Sequence, residues 1–232
     1  MVSYEVAGTV VDMPCVVRDA SAGTALFDVD AQVAAGMVPA AFRVLETAPG
    51  RCQLVLAVID YRDNDLGDYR EVGISFFVTP ADDDTAEAGT YIVHLPVDQE
   101  FTCAAGRAIW GFPKTVEDID LDHRDGRLTA TLRMDGALVF RLTIPAAGHD
   151  EMAPMPLTSY STIDGVPHAT AFTQGGTGAA IGAGGDDVEL VLGDHPVAKD
   201  LAALGLPAPA TLTTWTEHMQ ATFEAPRPLS TA

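Results

Sequence analysis

Two runs of alternating apolar and polar residues, 127–134 and 137–144, flank the dipeptide Asp135-Gly136. Side chains along a strand point to opposite faces in turn, and an Asp-Gly pair supplies the positive φ angles of a two-residue hairpin. Residues 53–61 (QLVLAVIDY) and 69–78 (YREVGISFFV), joined by a polar turn, read as a second hairpin. Residues 2–18, 90–97, 157–163, 168–173, 187–192 and 211–224 read as further strands, with a proline-bearing connection over 145–156. Such a chain is committed to antiparallel β-structure.

Helical signals are few. Residues 28–37 (DVDAQVAAGM) read as a short helix capped by Asp28 or Asp30, with Pro39 beyond its end. The clearest helix lies within 194–205 (DHPVAKDLAALG), where Asp194 or His195 caps, Pro196 suits the first turn and Gly205 ends it. The glycine-rich run 175–185 lacks the GK[ST] ending and the GxGxxG spacing of phosphate-binding loops, and reads as a flexible hairpin tip. With no internal repeat or boundary in sight, the expectation is one domain over residues 1–232, mainly β and mostly antiparallel, with two or three short helices.

Composition narrows the partners. A formal charge of −20 argues against nucleic acid and against an anionic membrane surface. Cys15, Cys52 and Cys103 are odd in number and widely spaced, which points to reduced thiols and a cytoplasmic protein. The first residues lack a basic n-region, and no segment approaches the roughly 20 apolar residues that span a bilayer. The six histidines are scattered without ligand spacing. Asp60, Asp63 and Asp65 crowd one turn, but Gly67 and the missing downstream glutamate do not fit a calcium loop. GxSxG is absent. Neither a metal nor a cofactor is expected.

One residue stands apart. Of 13 basic residues, only Lys114 and Lys199 are lysines, so the chain meets almost every need for positive charge with a guanidinium. A neutral amine nucleophile is the one task a guanidinium cannot perform. Lys114 has Phe101, Ile109, Trp110, Phe112 and Pro113 near it in sequence, with Gly106 and Gly111 permitting tight turns. Two readings stay open: a lysine that lays its stem on aromatic rings and keeps its head in water, or a desolvated nucleophile. At neutral pH an unperturbed lysine, with a pKa of about 10.4, is unprotonated in only about one molecule in a few thousand.

The string Gly106-Arg107-Ala108-Ile109-Trp110-Gly111-Phe112-Pro113-Lys114 resembles the GRE-x-WGFPK signature of the acetoacetate decarboxylase family. Val38-Pro39, the segment Leu66-Gly67-Asp68-Tyr69-Arg70-Glu71 (the family's LG-x-Y-x-E) and the ending DHPVAKDLAALGLPAPATL extend the likeness over nearly the whole chain. The resemblance implies a closed, largely antiparallel β-barrel-like fold, a homo-oligomer, and a small oxo acid as substrate. It implies that Lys114 forms a Schiff base, the decarboxylase itself being a known case of a lysine activated for this. It further implies that Glu71 is a catalytic acid or base, and that Tyr69, Arg107, Trp110 and Phe112 lie around the substrate, with Arg18 as carboxylate clamp.

Glu71 and Arg18 also have plain readings as a solvated strand residue and a surface charge. The sequence departs from the decarboxylase at Thr115, where that enzyme has a second, activating lysine, and at Leu56, which aligns by eye with a pocket glutamate. The reaction is therefore open between decarboxylation of a 3-oxo acid and aldol or dehydration chemistry on a 2-oxo acid. A barrel that binds a hydrophobic small molecule or a partner without covalent chemistry is the alternative.

Overall fold

The computed structural model describes residues 2–83 and 85–229. The first elements are β1 (Val2–Val6), β2 (Thr9–Met13), β3 (Cys15–Asp30), α1 (Ala31–Ala35), β4 (Phe42–Val44), β5 (Glu46–Ala48), β6 (Arg51–Asn64) and β7 (Tyr69–Pro80). Next come β8 (Gly89–Val97), α2 (Glu100–Trp110), β9 (Lys114–Val116), β10 (Asp118–Arg124), β11 (Arg127–Met134) and β12 (Ala137–Pro145). The remainder is β13 (Asp150–Ile163), β14 (Val166–Gly182), β15 (Glu189–Leu192), α3 (Pro196–Ala203), β16 (Leu212–Phe223) and β17 (Arg227–Pro228). No helix among the described residues is long and apolar enough to cross a membrane.

Seven strands close a ring in the order β7-β6-β3-β16-β14-β13-β8, and β8 pairs back onto β7. Every pairing in the ring is antiparallel except β8 with β13. Closure leaves the ring without an edge strand, and it gives each wall strand one face on the lumen and one outside. This is the expected mainly β, barrel-like fold with two or three short helices; α1 and α3 fall where helices were expected, and α2 is the additional one.

The main apolar core lies outside the ring. Leu54, Leu56 and Val58 on β6, and Val72, Ile74 and Phe76 on β7, are buried against the separate sheet β10-β11-β12-β15 and against Leu201 on α3. Each such side chain contributes about 1.5–3 kcal/mol by leaving water. A second cluster covers one end of the barrel. There Cys103, Ile109 and Trp110 on α2 meet Val6, Val11 and Met13 of the β1–β2 hairpin and Tyr61, Tyr69 and Leu95 of the wall.

Several local expectations change. The opening strand is two elements, because Ala7 and Gly8 both take positive φ and fold residues 2–13 into a hairpin before β3 begins. Residues 28–30 continue β3, so the first helix starts at Ala31 with Asp30 accepting hydrogen bonds from the N–H groups of Gln32 and Val33. Most of the glycine-rich run is no hairpin tip but the end of β14. A Cβ at Gly175 would lie 2.8 Å from the Met152 carbonyl oxygen, and one at Gly176 would clash with that of His218. Neighbouring strands come too close there for any side chain. The second hairpin, the Asp135-Gly136 turn and the His195-Pro196 helix start form as the sequence implies.

Candidate active site

The segment around Lys114 is built by helix α2 and its termination. Gln99 caps α2 by accepting from the Thr102 N–H. Gly111, at φ 67°, ends it in the left-handed conformation, with its own N–H and that of Phe112 returning to the Arg107 and Gly106 carbonyls. Gly106 is thus a helix residue and not a turn. The chain reverses through Phe112-Pro113 and enters β9, which pairs in parallel with β8 at Leu95 and Lys114. Glu71 lies on the other side of β8, paired with Ile59 and Val97.

These strands bring the two charges together. Lys114 Nζ lies 2.8 Å from Glu71 Oε2 and donates a 3.0 Å hydrogen bond to Thr102 Oγ1. Both side chains are more than nine-tenths buried. The Tyr61 hydroxyl donates to Glu71 Oε1 at 3.3 Å, and its ring stacks on Tyr69 at 4.3 Å between centroids. Nζ lies 4.8 Å from the centre of the Tyr69 ring. Trp110 stacks on Phe112 beside this group and anchors its indole N–H on the Glu224 carbonyl at 3.0 Å.

Two effects act on Lys114 in opposite directions. Burial disfavours the ammonium, while the Glu71 carboxylate and the Tyr69 hydroxyl favour it more strongly, so the pKa is held above its ordinary value. Burial, with the Glu71 charge beside it, pushes the Tyr61 hydroxyl well up; Tyr69 rises to about 12, mainly through burial. Both phenols are therefore neutral. The resting site is an ion pair with two phenols around it.

Lys114, Glu71, Tyr61, Tyr69, Trp110 and Phe112 line one end of a cavity of about 1000 Å³ inside the barrel. Arg18 and Arg107 do not. Arg18 is on the outside, its guanidinium held by Asp63 at 2.8 Å and Asp65 at 2.6 Å. Arg107 is exposed on the last turn of α2. Thr115 follows Lys114 on β9, and by strand alternation its side chain is absent from the cavity wall.

Leu56 does not take the place of a pocket glutamate. It is fully buried in the core outside the ring, and Val55, Ala57 and Ile59 are the neighbouring residues on the lumen face of β6. A slip of one residue reverses the face. The departure itself stands, since none of these three is acidic.

Tyr61 and Thr102 were missed in the sequence. Tyr61 shares its strand parity with Val55, Ala57 and Ile59, and Thr102 precedes Gly106 by one helical turn, on the same face of α2. Those spacings become informative only once one residue of each face is known to look inward. Gly106 shows how closely Lys114 is fitted. A Cβ there would lie 2.5 Å from Lys114 Cδ and 2.7 Å from Cε. Gly106→Ala is therefore expected to push Nζ off Glu71 and reduce kcat by about 100-fold, the scale of a 1 Å displacement of a reacting group. Steady-state kinetics beside a thermal-unfolding curve would test this.

Comparison with known proteins bears on the family and the fold. The acetoacetate decarboxylase family model matches residues 3–222. The fold is similar to that of acetoacetate decarboxylase from Legionella pneumophila subsp. pneumophila str. Philadelphia 1, with a TM-score of 0.68 and 18% identity over 94% of this chain and 87% of that one. It is also similar to the enduracididine biosynthesis enzyme MppR complexed with pyruvate (TM-score 0.62, 15% identity, 95% and 92% of the two chains). An acetoacetate decarboxylase-like enzyme from Sphingomonas wittichii RW1 matches with a TM-score of 0.58 and 15% identity over 95% and 94%. No curated protein sequence matches. At such identities the structural likeness speaks for the fold alone. The family model covers nearly the whole length, and on that ground the chain belongs to the acetoacetate decarboxylase family.

Proposed function

We propose that the protein is an iminium-forming lyase in which Lys114 Nζ condenses with the carbonyl carbon of an oxo acid. The observation that carries this reading is the buried 2.8 Å contact between Lys114 and Glu71 at the wall of the cavity. Moving one proton from the ammonium to Glu71 gives an amine with a free electron pair and a carboxylic acid, at no change in net charge. No second lysine is needed for that.

The amine attacks the carbonyl carbon, the C=O electron pair moves to oxygen, and Glu71 protonates that oxygen. Glu71 then takes a proton from nitrogen and returns it to the hydroxyl group, which leaves as water. Ammonium and ketone have become iminium and water. The iminium accepts the electron pair of an adjacent carbon–carbon bond, releasing carbon dioxide from a 3-oxo acid, or that of a C–H bond whose proton passes to Glu71. The first course follows the decarboxylase relatives. The second follows MppR, which has been solved with pyruvate and with a condensation product of pyruvate and imidazole 4-carboxaldehyde.

The test is intact mass after borohydride treatment with acetoacetate, and separately with pyruvate, followed by peptide mapping. A reduced adduct on Lys114 is expected, and its mass tells whether carbon dioxide left before trapping. A second reading, a barrel that binds an apolar molecule without covalent chemistry, is favoured by the charge state of Lys114, whose raised pKa opposes nucleophilic attack. Absence of any adduct on folded protein, together with Lys114→Ala keeping its ligand affinity, would favour that second reading.

A further inference from the structure

The cavity is far larger than the site at its end. Along β7 the lumen-facing residues run Glu71, Gly73, Ser75, Phe77, a length of about 20 Å at ~3.3 Å per residue. Beyond the ion pair the wall is formed by Leu26, Val55, Ala57, Ile92 and Leu212 among others, and it opens beside the exposed side chains of Met155, Leu157 and Ile181. About 1000 Å³ is at the upper end of sites for drug-sized ligands and dwarfs an acid of a few carbons.

Two further observations concern what the lumen accepts. Lys114 is the only cation on the wall among the described residues, and Glu71 already pairs with it. A substrate carboxylate finds no guanidinium there, Asp150 and Glu151 add further negative charge to the wall, and beside hydroxyls and amides such as those of Ser75, Thr214 and Asn64 the lumen offers mainly apolar contact. The lumen is also kept open by small side chains. A Cβ at Gly73 would meet only Ala57 Cβ at 3.5 Å and Leu95 Cδ1 at 3.6 Å, which are ordinary contacts, and its φ is not positive. Neither backbone nor neighbours demand glycine at 73; a larger residue would fill the channel next to Glu71.

We infer that the carbonyl compound condensing with Lys114 carries a long apolar tail, an alkyl chain of roughly medium fatty-acid length, which lies along the barrel from Glu71 toward Phe77. This rests on the iminium-forming reading of Lys114 and deepens it. The carbonyl head is held at the Lys114–Glu71 pair while the tail displaces water from Ala57, Ile92 and Leu212. Each methylene buried raises affinity by up to about fourfold.

The experiment uses the full chain and a series of straight-chain methyl ketones from acetone to 2-undecanone. Each is trapped with borohydride, and the concentration giving half-maximal labelling of Lys114 is read. That concentration is expected to fall about two- to fourfold per methylene, by at least a hundredfold across the series. Equal half-saturation by acetone and 2-undecanone would overturn the tail and leave the covalent reading intact.

Binding of 2-undecanone, followed through the fluorescence of Trp110 and Trp215, without labelling of Lys114 would overturn the proposal at its covalent step. Gly73→Leu is expected to reduce the preference for 2-undecanone over acetone at least tenfold. Ala57→Phe, at the position paired with Gly73 on the adjacent strand β6, should do the same. An unchanged preference in folded protein of either variant would sink the lumen assignment.

Discussion

Lys114→Ala is expected to abolish turnover and all borohydride labelling at that position, and to destabilise the fold. Both effects follow from burial. The substitution removes the only amine on the cavity wall among the described residues, and it leaves the Glu71 carboxylate buried with the Tyr61 hydroxyl but no cation. Breaking one partner of a buried pair typically costs about 3–5 kcal/mol, because the other charge stays behind uncompensated. Chemical denaturation at neutral pH should show that loss. Combining Lys114→Met with Glu71→Gln should recover most of the stability and none of the activity, since the double variant buries no charge. Full activity in Lys114→Ala would end the iminium mechanism outright.

Glu71→Gln separates the two roles of the carboxylate. Without it, burial is the dominant influence left on Lys114, and the pKa drops below its ordinary value instead of lying above it. The amine is then available, so labelling by a carbonyl compound persists. The proton transfers that follow lose their carrier, and kcat is expected to fall by about 10²- to 10⁴-fold.

The pH profiles should differ in sign. In the parent protein the raised pKa of Lys114 gives stability that is complete below the unfolded value of 10.5 and is lost as pH climbs through the folded value. In Glu71→Gln the lowered pKa makes stability increase with pH up to that same unfolded value. For catalysis, a proton exchanged inside the pair keeps kcat/KM flat across the neutral range. In the variant kcat/KM should instead rise with pH to a plateau. Equal turnover in parent and variant would remove Glu71 from the mechanism.

Much of this protein is set locally and can be read in its residues. The Asp135-Gly136 turn adopts positive φ at both positions, and His195 with Pro196 starts α3, because those preferences belong to a few adjacent atoms. Most of the strands follow from alternation for the same reason. Lys114 stood out because arginine dominates the basic residues and because the GFPK string surrounds it.

Other features depend on partners distant in the chain. Asp63 and Asp65 lie more than forty residues from Arg18, and they hold its guanidinium outside the barrel. The face taken by Glu71 was open to a one-residue slip until β7 was paired to β6 and β8, and the same uncertainty put Leu56 in the lumen when it belongs to the outer core. Gly175 and Gly176 looked like loop residues because their function is steric, and the carbonyls they accommodate come from β13 and β16.

Sequence by itself determined most of the strands, the Asp135-Gly136 turn and the start of α3, and it singled out Lys114 as an amine among guanidiniums, since each rests on local backbone preference or on side-chain chemistry. Ring closure decided the rest. It turned alternate residues of seven strands toward a shared lumen, set Glu71 against Lys114, and left Ala57 and Gly73 lining a space that no side chain fills. A contact or an empty volume is a property of several strands at once, and no single stretch of sequence contains it.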